Sequence, residues 1–208
     1  MPRSRPVLLA GRSAAISGLG AAAALLLAGP AAAHAGTGLR GGVAAGLLHP
    51  LSGPDHLLAM VSVGLWGAFL GRPLIYALPV IFPTVMVAGA AMGMLHAPMP
   101  PVEIGIALSV LGLGLCIALA VRAPVWAAAT IVAAFAVFHG YAHGRELPSA
   151  ADPVGYSLGF VLATGLLHVA GIGLGALKAR RGGEGLTRSL GGAVALAGGW
   201  FLFAALRP

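Results

Sequence analysis

The sequence predicts an all-α polytopic membrane protein, with six transmembrane helices behind an N-terminal signal peptide and the first helix broken by a Pro-Gly-Pro element. Three observations predict it. Of 208 residues, 59% are hydrophobic and 8% charged, where soluble domains carry about 25% charged residues. The apolar residues fall into six runs, most of them near the ~20 residues that cross a hydrocarbon core as a helix. The twelve Lys and Arg stand mostly singly at the ends of those runs, apart from a cluster at Lys178, Arg180 and Arg181.

The N-terminus reads as an export signal. Arg3, Arg5 and Arg12 form a basic start, residues 13–28 an apolar core, and Ala31 to Ala35 offer small-x-small cleavage sites. The expected division is a signal peptide over 1–33 and a transmembrane domain over 34–208, with cleavage after Ala33 or Ala35; an uncleaved signal anchor is the alternative.

The six apolar segments run over about 39–70, 74–95, 102–121, 124–143, 154–178 and 186–206. The breaks between them hold Gly71-Arg72-Pro73, residues 96–101, Arg122 to Pro124, residues 144–153 and 178–188, rich in the residues that punctuate helices. With an exported N-terminus, Arg72, Arg122, Lys178, Arg180, Arg181 and Arg188 fall on one side, and Arg40, Arg145 and Arg207 on the other. Positive charge favours the cytoplasmic side, so both termini are expected in the periplasm of a bacterial inner membrane.

The first segment is too long for one span and too short for two. Its middle reads His49-Pro50-Leu51-Ser52-Gly53-Pro54-Asp55-His56. Pro50 is expected to push His49 out of helical geometry, and Pro54 would clash with the carbonyl of residue 50. On an unbroken helix, residues seven apart stand about 10 Å apart along the axis, too far to share an ion at ~2 Å ligand distance. An interruption there can fold His49 back toward Asp55 and His56. Irregular backbone at membrane depth is tolerated only inside protein or along a wet cavity. Asp55 is also suited to cap a helix over 57–70.

Small residues recur four apart at Gly42/Gly46, Gly67/Gly71, Gly89/Gly93, Gly155/Gly159 and Gly171/Gly175. Such pairs let helix backbones approach closely in lipid, and these glycine-rich faces are equally candidates for a homo-oligomer. Several classes are excluded. One cysteine, Cys116, leaves no disulfide framework or CxxC site. The net charge of +7 is spread along helix ends and forms no phosphate-binding stripe, so no nucleic-acid partner is expected.

A second group of chemistry-bearing residues is Phe138-His139-Gly140-Tyr141-Ala142-His143-Gly144-Arg145-Glu146. His139 and His143 are four apart and Glu146 three further on, so on a helix all three share a face. Two imidazoles at that spacing can chelate a divalent cation, and the carboxylate supplies charge. Glu146 also reads as a solvated loop residue beside Arg145. His168 stands alone in the fifth segment, as a packing residue or as a ligand. Met92, Met94, His96 and Met99 cluster near one loop, and Glu103 opens the third segment as a helix-start anion.

His49-Pro50-x-x-Gly53-x-Asp55-His56, followed by Phe138-His139-Gly140-x-Ala142-His143-Gly144-x-Glu146, resembles the HupE/UreJ family of nickel/cobalt permeases. The resemblance runs from the signal peptide to the last helix and implies six transmembrane helices and permeation of Ni²⁺ or Co²⁺ as transported substrate, with no permanently bound cofactor. It implies His49, Asp55, His56, His139, His143 and Glu146 as the metal path, with His168 as a further candidate, and an association with hydrogenase or urease.

No GxxxxGK[ST] loop is present for ATP hydrolysis, and His139 to His143 encloses no Glu of the HExxH kind. The expected protein is therefore not an enzyme; a haem-binding or accessory membrane subunit is the alternative. Motifs on the first and fourth segments suggest two inverted three-helix halves, although no sequence similarity joins them.

Overall fold

The computed structural model describes residues 42–146, 152–177 and 183–207. The expected signal peptide and cleavage region, Arg40 and the Lys178, Arg180, Arg181 cluster lie outside the described residues. Among the described residues the regular structure is helical: α1 Val43–Ser52, α2 Pro54–Leu70, α3 Leu74–Met94, α4 Val102–Ala118, α5 Val125–Glu146, α6 Pro153–Ala176 and α7 Gly183–Ala205. Each of the six apolar segments thus yields a helix, and the first yields two. Helices α3, α5, α6 and α7 are long and apolar enough to cross a membrane.

The polarity of the molecule runs opposite to that of a soluble protein. Val87, Leu166 and Leu196 are each about two-thirds exposed, whereas Ser62, Ser109, His139, His143, Thr164 and His168 are buried. Apolar side chains on the outside and ionisable ones within are the arrangement lipid imposes.

The break in the first segment differs from expectation in its position. Helix α1 continues through Pro50 and His49 is helical, so Pro50 does not displace it. The interruption is the single residue Gly53, at φ −94° and ψ 107°. The cause is Pro54, whose ring disfavours helical geometry in the residue before it while its own fixed φ suits the first position of α2. Gly53 is therefore the residue preceding α2, and Asp55 lies in the first turn of α2 instead of capping a helix from 57. At the end of α1, Ser52 Oγ donates to the His49 carbonyl at 2.8 Å, taking up one of the carbonyls a helix end leaves open.

The closest helix pairings are α3 with α5, α4 with α7, and α6 with both α1 and α2. If the first three segments are exchanged for the last three, these pairings map onto one another. Glycine makes them possible. A Cβ on Gly89 or Gly93 of α3 would run into the carbonyls of Val137 and Tyr141, and one on Gly140 or Gly144 of α5 into those of Met86 and Ala90. The α2–α6 contact has the same reciprocity, with Gly64 against the His168 carbonyl and Gly171 against that of Val61. Gly71 departs from the packing role expected of it. It has open space around it and a φ of +81°, and ends α2 by donating its N–H to the Gly67 carbonyl, the left-handed stop that glycine adopts without a steric penalty.

Side-chain bonds pin the two ends of the bundle. Trp66 Nε1 donates to the Val121 carbonyl at 3.2 Å and Arg188 Nε to that of Ala118 at 2.9 Å. At the opposite end Tyr141 Oη donates to the Ala97 carbonyl at 2.9 Å, and Asp152 Oδ1 accepts from the Gly155 amide at 2.9 Å, capping α6.

Candidate metal centre

Where α1 and α5 finish, side chains from the two motifs meet. On α5, His139, His143 and Glu146 share one face, while Gly140 and Gly144, one residue on from each histidine, form the adjoining face that seats against α3. The HG-x-A-HG pattern thus does two jobs at once: the glycines bring α3 in, and the histidines point to α1 and α2.

His49 Nε2 lies 3.2 Å from Glu146 Oε2, and His143 Nδ1 lies 3.7 Å from the same oxygen. One ligand atom from each of these three residues falls within 4.8 Å of the others. The 3.2 Å separation is near the ~3 Å edge expected of a coordination polyhedron with metal–ligand bonds of about 2.1 Å. Glu146 therefore belongs to the helix and reaches across to α1, not to a loop.

His56 sits one turn deeper. Its ring centroid is 4.7 Å from that of His143 and 4.8 Å from that of His139, while His49 is 4.9 Å from His143. His49 and His56 are 6.5 Å apart, with His143 reaching both. Asp55 orients His56: its Oδ1 accepts from His56 Nδ1 at 2.9 Å and from the His56 amide at 2.8 Å. That leaves His56 Nε2, which has no hydrogen-bond partner, as the ring's available lone pair. Asp55 and Glu146, in contact with His56, His49 and His143, bring carboxylate charge to this polar interior.

His139 is held from α4. Ser109 Oγ donates to the Ile106 carbonyl at 2.6 Å and lies 2.8 Å from His139 Nε2. A hydroxyl has one proton to give, so it accepts from His139 Nε2–H, and the lone pair of His139 falls on Nδ1. That atom is buried and without a partner. Ser109 was not legible as a site residue; the one available signal is that a serine inside an apolar segment must satisfy its hydroxyl somewhere.

Aromatic rings wall the centre. Tyr156 and Phe160 of α6 stand 5.6 Å and 6.2 Å from His49, and Phe160 is 4.3 Å from His143. Phe82 of α3 lies 5.5 Å from His139 and 5.6 Å from His168, so it stands between His168 and the cluster. His168 is buried within reach of the Pro79 carbonyl, without a hydrogen bond of ordinary geometry. Pro83 deprives that carbonyl of its helical amide donor. The structure thus brings together His49, Asp55, His56, His139, His143 and Glu146, and leaves His168 apart. His96 bonds locally, its Nδ1 3.0 Å from the Met94 carbonyl.

Fold and site together define a membrane protein whose helices enclose a cluster of metal-ligand side chains. Over residues 22–201 the chain matches the family described as HupE / UreJ protein. It is 47% identical over 173 residues to Protein HupE of Rhizobium leguminosarum bv. viciae, covering 83% of this chain and 91% of that one. The chain belongs to the HupE/UreJ family, as its two motifs indicated. No solved structure matches it.

Proposed function

We propose that the protein is a permease that takes up a divalent transition metal, nickel or cobalt, across the bacterial inner membrane through six spans, with the end that carries His49 and Glu146 facing the periplasm. The observation that carries this reading is the approach of His49 Nε2 to Glu146 Oε2 across two helices, 3.2 Å, with His143 beside them. A hydrated cation reaching that end exchanges waters for imidazole and carboxylate, and then moves to His56 and His139 and onward past Phe82 toward His168.

Imidazole-rich sites suit nickel, cobalt and their neighbours better than calcium or magnesium, which prefer oxygen. A membrane potential drives a cation inward by about 2.3 kcal/mol per charge per 100 mV, and binding stays weak enough for release. The carboxylates favour a hydrated ion over haem, whose iron takes His, Cys, Met or Tyr. Glycines at 165 and 173 on α6 have open space above them, which suits association with a second copy of the chain.

The test is uptake of radiolabelled Ni²⁺ and Co²⁺ into cells expressing the wild type, Asp55→Asn or His56→Ala. The expected result is uptake by the wild type and its loss in both variants. Uptake by both variants at the wild-type level would overturn the site, and absence of uptake by the wild type would overturn the activity.

A further inference from the structure

The six clustered residues are spread too widely to serve as one coordination sphere, as the three on α5 show. Glu146 and His139 are seven residues apart, about 10 Å along the helix axis. His49 belongs to the Glu146 end, at 3.2 Å from that carboxylate. His56 belongs to the other end, its ring packed between those of His139 and His143 at 4.8 Å and 4.7 Å. Only His143 touches both groups: its ring is 4.9 Å from His49, its Nδ1 is on the Glu146 side at 3.7 Å, and its Nε2 is buried and has no hydrogen-bond partner.

Three buried imidazole nitrogens in the deeper group await a ligand: His56 Nε2, His139 Nδ1 and His143 Nε2. Burying polar atoms without partners costs free energy, so three such atoms on His56 and the two rings packed 4.8 Å and 4.7 Å from it suit something that accepts lone pairs. Two of them are aimed from outside the group. Asp55 accepts from His56 Nδ1–H and Ser109 from His139 Nε2–H, which fixes each ring in the tautomer whose lone pair lies on the unpartnered nitrogen.

We propose that the path holds two successive metal positions sharing His143: a mouth position on His49, His143 and Glu146, and a deep all-imidazole position on His56, His139 and His143, with Ser109 as the positioning residue that holds His139 in its ligating tautomer. A neutral imidazole offers one lone pair at a time, and two divalent cations at neighbouring positions repel, so the two are filled in turn: as the ion passes from His143 Nδ1 to Nε2, Nε2 gives up its proton to water and Nδ1, released by the ion, takes one up. The donor sets differ in kind. The mouth has a carboxylate and attracts any divalent cation; the deep position has three neutral nitrogens and discriminates against Ca²⁺ and Mg²⁺. Selection for a transition metal is thus placed after entry. This deepens the permease reading and rests on it.

The test is Co²⁺ binding to the purified full-length protein in lipid nanodiscs, by equilibrium dialysis and visible absorption. Removing the mouth with His49→Ala and Glu146→Gln is expected to leave one bound Co²⁺ with an all-nitrogen spectrum. Adding Ser109→Ala to that background should weaken the remaining site about tenfold or more, and adding His139→Ala should abolish it. Reciprocally, Ser109→Ala with His139→Ala, mouth intact, should retain one Co²⁺ with a different, carboxylate-containing spectrum that His49→Ala then removes. A merely structural role for Ser109 would weaken both backgrounds alike and overturn its assignment. Loss of all Co²⁺ in either half-site background, from protein that elutes as the wild type does, would mean one composite site and overturn the two positions. That outcome would leave the permease reading to be decided by cellular uptake.

Discussion

His49 Nε2 and Glu146 Oε2 stand 3.2 Å apart, so the last residue of α5 meets a side chain from the last turn of α1. Neither helix holds a three-ligand set at this end by itself. Glu146→Gln keeps the shape and an acceptor oxygen but removes the charge that offsets an incoming cation. Its Ni²⁺ uptake is expected to fall about tenfold or more, by analogy with losses measured when metal-ligand support is removed. Initial uptake rates at fixed external Ni²⁺, normalised to protein in the membrane, check this; a rate within twofold of wild type would remove Glu146 from the path.

The one-residue break at Gly53 sets where His49 stands relative to His56. Restoring an amide at position 54 with Pro54→Ala, together with Gly53→Ala, allows α1 and α2 to join. The two histidines would then move from a ring separation of 6.5 Å toward the ~10 Å axial spacing of residues seven apart on one helix. The expected outcome is a folded protein with uptake reduced by more than tenfold. Co²⁺ absorption of the purified variant provides the second readout, losing intensity if the rings have separated; unchanged uptake would show that the break does not govern the site.

Much of this was legible because lipid makes polar residues conspicuous. The six apolar segments, the His49–His56 interruption and the shared face of His139, His143 and Glu146 follow from spacing and from the cost of burying charge. The position of the break was less so. Proline's effect on its preceding residue was expected at His49, but a short helix proved able to continue through Pro50 while Gly53, before Pro54, took the bend. Ser109 and Phe82 were not legible, because a serine or a phenylalanine in an apolar run gives no sign of which ring it will meet on another helix. The glycine pairs pointed to close packing correctly at Gly89/Gly93, where carbonyls of α5 lie on them, but not at Gly71, whose role in ending α2 depends on a backbone angle that spacing does not reveal.

Gly144 lies against the Ala90 carbonyl with no space for a methyl. Gly144→Ala therefore forces α5 and α3 apart next to His143. Overpacking of this kind costs about 1–3 kcal/mol, and a lowered melting temperature in detergent is expected together with reduced uptake. Gly192→Ala is the control: its Cβ would meet nothing within 4 Å, and its melting temperature should not fall. Equal losses in both variants would show that helix glycine content, not the α3–α5 contact, sets stability.

His168 separates two roles that substitution can tell apart. Beyond Phe82, and near the Pro79 carbonyl that Pro83 leaves without its amide, it is placed either to carry the ion onward or to tend a broken helix. If it carries the ion, His168→Ala leaves the entry ligands untouched, so KM for Ni²⁺ uptake should stay at the wild-type value while the maximal rate drops several-fold. His168→Gln should not restore the rate, because an amide is a poor substitute for imidazole toward these metals. If it serves Pro79 alone, His168→Gln can still donate to the carbonyl, and rate and melting temperature should both recover with it. Uptake kinetics and thermal unfolding of the two variants, measured side by side, decide between these, and recovery by glutamine would end the proposed path at His139.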